Sequence, residues 1–170
     1  TIVYIRDALF ENLGGLVRNH PLIRYLTTSE DLSSKFESFS GIPTEPIPPI
    51  VQPALYKVEP QRQNVTFVCP VKMKGLDIAL QLAAERPDIP FVFLESWHMK
   101  SEPQRELNRK IHKYKNIVLK SKTQDKRKVY RNTKVLLVHT SKSEAWGPVV
   151  SDAHISGIPV LESNDGGIPE

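Results

Sequence analysis

The chain has 170 residues, 25% charged and 39% hydrophobic, with a mean hydropathy of −0.32, the balance of a soluble globular protein of one domain or one and a half. Charge or proline cuts every apolar run well short of the roughly 18 residues a spanning helix needs. The opening Thr1-Ile2-Val3-Tyr4 lacks a basic or apolar leader and an initiating Met, so the sequence is expected to begin inside a longer one. A single cysteine, Cys69, excludes an internal disulfide or a cysteine-based zinc cluster and fits a reducing, cytoplasmic setting.

In chain order, residues 6 to 19 have helical character and Leu22 to Thr27 reads as a short strand. Residues 28 to 39 then predict a helix: Ser29 is a capping hydroxyl ahead of Glu30 and Asp31, and Leu32, Phe36 and Phe39 form the expected buried stripe. Gly41 ends it. Six of the 14 prolines follow in Pro43, Pro46, Pro48, Pro49, Pro53 and Pro60, and residues 42 to 60 are expected to be an extended, stiff interdomain connector. Beyond it strands alternate with helices: strand 65–69, helix 75–86 with Leu76, Leu80 and Ala83 inward, strand 91–94, helix 104–114, strand 117–119, helix 125–133, strand 135–138, helix 148–156 and strand 159–161. Short continuous apolar strands alternating with helices predict an α/β fold with a doubly wound parallel sheet. The expected division is 1–50, a short α/β remnant and hinge, and 51–170, a ligand-binding domain.

In such a sheet ligands bind beyond the carboxyl ends of the strands, which directs attention to the strand-to-helix loops. In the loop after the fourth strand of the second domain, Gly147 and Pro148 suit the start of a helix, and the amides of Val149 and Val150 are then donors at the positive end of its dipole, a phosphate site. Glu144 stands just before that end and Asp152 about one turn inside it. Two carboxylates there suit a ligand that offers hydroxyls beside its phosphates, as a nucleotide sugar does; spacing alone leaves open that they are solvated acids favourable to the dipole. The first loop, Cys69 to Gly75, brings Lys72 and Lys74 to where a diphosphate would lie, although both could be surface lysines. Neither a Walker sequence nor Gly-x-Gly-x-x-Gly is present. Gly166 and Gly167 in the last loop allow close backbone approach to a ligand, or make a turn.

The strand followed by Pro70-Val71-Lys72-Met73-Lys74-Gly75, the Ser141-to-Gly147 loop containing Ser-Glu-Ala-Trp-Gly, and the run from Gly157 to Glu170 resemble, in that order, the donor-binding half of GT-B-fold retaining glycosyltransferases of group 1, the glycogen-synthase and sucrose-synthase-like class. The resemblance covers most of residues 64 to 170. It implies a Rossmann-like donor domain preceded by the end of an acceptor-side domain, with Arg6-Asp7 and Gly14-Gly15 in the cleft-facing remnant of the latter. It further implies that Glu144 contacts the transferred sugar as the catalytic acid residue, that Asp152 holds the ribose, and that Lys72, Lys74 and the amides from Gly147 through Val149 and Val150 hold the diphosphate, with Trp146, Gly166 and Gly167 forming the sugar loop. The second acid of this family is usually Glu, one methylene longer than Asp152. Its first-loop arginine is replaced here by Lys72, which cannot reproduce a bidentate guanidinium contact. His139 is given no role. Base recognition would involve the third loop, Ser121 to Gln124.

The reaction implied by the resemblance is a metal-independent hexosyl transfer with no cofactor, the nucleotide sugar (UDP-, GDP- or ADP-linked) being a substrate and the acceptor a carbohydrate, lipid or small molecule. A chain cut at Glu170 is expected to bind nucleotide weakly and to transfer little by itself. The alternatives from other classes are a non-catalytic nucleotide- or partner-binding module and a nucleotide-sugar epimerase. Residues 98 to 134 hold thirteen of the 23 Lys and Arg against Glu102, Glu106 and Asp125. This stretch is expected to be a solvated basic face on two connecting helices away from the site, not a nucleic-acid surface, with peripheral contact to an anionic membrane as a further option.

Overall fold

The computed structural model describes residues 1–15, 17–96, 101–140 and 144–170. It resolves into two compact units: Thr1–Val51 with Ser143–Pro148 and Asn164–Glu170, and Gln52–Lys142 with Val149–Ser163.

The first unit is built on three parallel strands, β1 (Ile2–Ile5), β2 (Arg24–Thr27) and β3 (Glu45–Pro46), in the order β1-β2-β3. Val3 pairs with Tyr25 and Leu26 with Glu45. Helix α1 (Glu30–Ser40) joins β2 to β3. Its start follows from local chemistry: Ser29 is extended and its Oγ accepts the Leu32 N–H at 3.1 Å, while Gly41 closes the helix in the left-handed region. The carboxylate of Glu170 accepts the amides of Glu30 and Asp31 at 2.7 and 2.8 Å, an anion where the helix dipole favours one. Leu32 and Phe36 are buried with Ile5, Tyr25 and Ile42.

Three expectations fail in this unit. Phe39 is 57% exposed, not buried: its ring lies at the rim, 5.2 Å from that of Phe10. The helix expected over residues 6 to 19 does not form among the described residues of that stretch: Phe10–Asn12 makes a 3₁₀ turn, while the Asp7 side chain accepts the Leu9 N–H at 2.9 Å and Gly14 takes a positive φ, both of which oppose helix propagation. The proline segment is not wholly extended either. Pro46 lies on an edge strand, where a missing donor is tolerated, and Pro53 opens a one-turn helix, α2 (Pro53–Tyr56), at a position where proline is favoured.

The second unit contains five parallel strands, β4 (Asn64–Val68), β5 (Phe91–Leu94), β6 (Ile117–Lys120), β7 (Thr133–Val138) and β8 (Val160–Glu162), in the order β6-β5-β4-β7-β8. Between them run α3 (Leu76–Glu85), α4 (Ser101–Ile111), α5 (Arg127–Tyr130) and α6 (Pro148–Ile155). Both sheet faces are covered, which is why the strands read as continuous apolar runs. One face packs Phe67, Phe93 and Leu137 against Leu76, Ala79, Leu80 and Ala83 of α3 and Leu107 and Ile111 of α4. The other packs Leu136 against Tyr130, Ala153 and Ile158. Each of the buried Leu, Ile and Phe side chains contributes about 1.5–3 kcal/mol.

Several buried polar groups in this unit are paired: Thr66 Oγ1 and Thr133 Oγ1 lie 2.7 Å apart, and the Asn64 amide donates to Thr66 Oγ1 at 2.8 Å. The Asn116 amide lies 2.9–3.1 Å from the carbonyls of Ala83, Arg86 and Ile89, pinning the end of α3 to the start of β6. The helix expected over 125–133 shrinks to Arg127–Tyr130 since Thr133 already belongs to β7. Among the described residues no helix is long and apolar enough to cross a membrane.

Candidate functional site

The strand order fixes where a ligand can enter the second unit. From β4 the chain proceeds to β5 on one side, whereas β7 lies on the other side of β4. The connections thus diverge at the carboxyl ends of β4 and β7, the crevice at which open parallel sheets bind ligands.

The loop leaving β4 is tightly wound. Cys69 has φ +63°, unusual outside glycine, and its carbonyl accepts the Val71 N–H at 2.7 Å. Lys72–Lys74 form a 3₁₀ turn that ends on Gly75 at φ +82°. Gly75 is required there. A Cβ at that position would lie 2.6 Å from Cδ2 and 2.8 Å from Cβ of His139, the residue that follows β7. His139 therefore packs the two switch-point loops together through Gly75. Lys72 is exposed and Lys74 half-buried.

Asp152, on the first turns of α6, is 4% exposed. Its Oδ2 accepts from Lys126 Nζ at 2.8 Å and from the Tyr130 hydroxyl at 3.4 Å. Burial beside this carboxylate pushes the Tyr130 hydroxyl far above its ordinary pKa, so it remains a donor at any working pH. Lys126 Nζ also lies 4.8 Å over the ring of Tyr56. Sequence reasoning missed all three partners. The available signal was local: Lys126 and Tyr130 are four residues apart and share a face of a helical turn. Lys126 belongs to the basic stretch expected to lie away from the site, and it pairs with Asp152, 26 residues along the chain.

A cavity of about 260 Å³ opens beside Lys126 and Tyr130, lined also by Val68 and Leu94 at the ends of β4 and β5, Thr123 and Val149 among others. Lys122 and Thr123 on its wall belong to the third loop, 121–124. Val149 and Val150 stand at the start of α6 in this unit.

The remaining expected site residues belong to the first unit. Glu144 and Trp146 are half-buried, and the Glu144 carbonyl accepts the Gly167 N–H at 2.8 Å. Gly147 has φ +72° and Gly166 φ +70°. A Cβ on Gly167 would collide with the Ala145 carbonyl and lie 2.6 Å from Ser29 Oγ, so the glycine pair brings this loop against the start of α1. The expected residues thus form two groups: Glu144, Trp146, Gly147, Gly166 and Gly167 in one unit, and Lys72, Lys74, Val149, Val150 and Asp152 in the other. The expected Ser141 and Ser143 of the loop lie outside the described residues.

No curated protein sequence matches the chain significantly. Among solved structures, HepE of Anabaena in complex with UDP-glucose superposes with a TM-score of 0.78 at 17% identity, over 98% of this chain and 54% of that one. AviGT4, a glycosyltransferase involved in avilamycin A biosynthesis, gives 0.69 at 17% identity over 99% and 56%. A glycosyltransferase from Rickettsia africae gives 0.71 at 14% identity over 85% and 45%. The chain spans about half the length of these structures, and at such identities the likeness establishes the fold, the mixed α/β Rossmann-like architecture of GT-B glycosyltransferases. The family model of the glycosyl transferases group 1 matches residues 69–170. The chain belongs to the group 1 glycosyl transferases.

Proposed function

We propose that this chain is chiefly the donor-binding part of an enzyme that transfers a hexosyl unit from a nucleoside-diphospho-sugar to an acceptor, with retention at the anomeric carbon. The observation that carries the proposal is the buried carboxylate of Asp152 held by Lys126 and Tyr130, both of which line a cavity at the carboxyl ends of β4 and β5. At about 260 Å³ that cavity is smaller than the roughly 300–1,000 Å³ that holds a whole drug-sized ligand. It suits one ring of a nucleotide, with apolar walls from Val68, Leu94 and Val149 and polar groups from the third loop. Asp152 would then accept the ribose hydroxyls.

Lys72 and Lys74, with the amides from Gly147 to Val150, would meet the charge that grows on the departing diphosphate with preorganised positive charge and donors. Glu144 would contact the sugar, with Trp146, Gly166 and Gly167 shaping its loop. HepE, solved with UDP-glucose, supports the choice of a nucleotide sugar as donor.

Calorimetric titration with UDP, GDP and ADP tests the proposal: one clear binder is expected. E144Q in the full-length protein should remove transfer while leaving the fold and nucleotide binding in place. Nucleotide binding without transfer to any acceptor in the full-length protein would instead favour a non-catalytic module, and a folded protein that binds none of the three would refute the donor-site assignment.

A further inference from the structure

An ionised carboxylate buried to the degree of Asp152 is unfavourable unless a partner compensates it. Lys126 supplies that partner and is itself held from several sides. Its side chain stays 40% exposed, so its own desolvation is small, and its ammonium rests over the Tyr56 ring. Tyr56 is fixed in turn by Ser156, whose Oγ donates to the Tyr56 carbonyl at 3.4 Å and accepts the Val58 N–H at 3.0 Å. Lys126 and Tyr130 both line the cavity, and both meet Asp152 through the same oxygen, Oδ2. A buried ion pair is a weak means of stabilising a fold, and apolar residues of like volume often do as well. That both partners of Asp152, Lys126 and Tyr130, line a cavity of about 260 Å³ therefore points to recognition.

We propose that Lys126 is a positioning residue for donor recognition: it holds the Asp152 carboxylate by Oδ2, leaving Oδ1 to accept the ribose hydroxyls. This rests on the assignment of Asp152 to ribose made above. Lys126 acts through Asp152 and makes no claim on the diphosphate. Its replacement should therefore remove discrimination between ribose and dideoxyribose, with little effect on binding of the rest of the nucleotide.

The test measures Kd for whichever of UDP, GDP and ADP binds most tightly and for its 2′,3′-dideoxy counterpart, in the unmodified protein, K126M, K126R and D152N. Hydrogen bonds to a charged acceptor correspond to a preference for ribose of about 10- to 100-fold. That preference should fall below about 3-fold in K126M and in D152N and survive in K126R, which keeps the charge, while the dideoxy Kd changes little in any variant. If K126M fails to fold, K126Q is measured in its place and held to the same criterion. Loss of the preference in D152N but not in K126M would overturn the proposal and leave the ribose assignment standing. A larger preference in K126M, as expected of a lysine that merely competes with ribose, would also overturn it. An unchanged preference in D152N, or no binding by any of the three nucleotides, would refute the ribose assignment and the proposal with it.

Discussion

Gly75→Ala isolates the contact that joins the two switch-point loops. Two costs add. At φ +82° a residue with a Cβ meets the left-handed penalty of roughly 1–2 kcal/mol. The new Cβ would also lie 2.6–3.0 Å from three atoms of the His139 side chain, one of them its own Cβ, so a rotamer change alone cannot clear it. Displacing a packed group in this way costs about 1–3 kcal/mol, which brings the expected loss to about 2–5 kcal/mol. That is a large share of the roughly 5–15 kcal/mol a domain has in total. Hydrogen exchange of amides in α3 and β4 reads the change in the second unit alone. H139A on the G75A background separates the two costs, because removing the imidazole relieves part of the clash while leaving the backbone penalty. A coupling of about 1–3 kcal/mol in that cycle is expected. A loss under about 1 kcal/mol in G75A, or no relief from H139A, would show that the loop yields freely and that Gly75 does not set its path.

In the first unit, G167A should cost about 1–3 kcal/mol, since the new methyl meets the Ala145 carbonyl, which is backbone, as well as Ser29; thermal unfolding of the variant within about 1 °C of the parent would contradict this. Glu162 tests pH dependence: burial holds its pKa above the ordinary value, and nearby His154 offsets this in part. A carboxyl group that binds its proton more tightly when folded loses stability as pH rises through the range just above 4.5, so E162Q should stabilise the protein at pH 7 and leave it unchanged near pH 3. Glu162 is partly solvated, and screening keeps the gain below about 0.5 kcal/mol. A gain of equal size at both pH values would rule out the burial of its charge as the cause.

The sheet of the second unit was readable because its strands are buried on both faces. Short runs such as Phe91-Val92-Phe93-Leu94 fit strands buried on both faces, and each is followed by a segment with helical spacing. The first unit was less readable. The run Ile2 to Ile5 carries the β-branched signal, but its alternate residues Ile2 and Tyr4 are exposed. The stretch after it has enough apolar residues to suggest a helix, yet one Asx turn and a positive-φ glycine are sufficient to stop it. Local side-chain chemistry decided against periodicity there.

The candidate site shows the same divide between pattern and contact. The order of the loops and the start of α6 at Pro148 followed from glycine, proline and strand positions. What surrounds Asp152 did not, because counting charge treats the cations of residues 98 to 134 as interchangeable. Most of that stretch can be the solvated face its composition suggests. Lys126 differs from its neighbours in one respect, the buried acid within 2.8 Å, which it meets from the start of the single-turn α5, a helix that gives way to β7 where Thr133 Oγ1 donates to the Val129 carbonyl at 2.9 Å. The pairing of Asp152 is thus a tertiary contact between the start of α5 and α6, and no periodicity in the sequence encodes it.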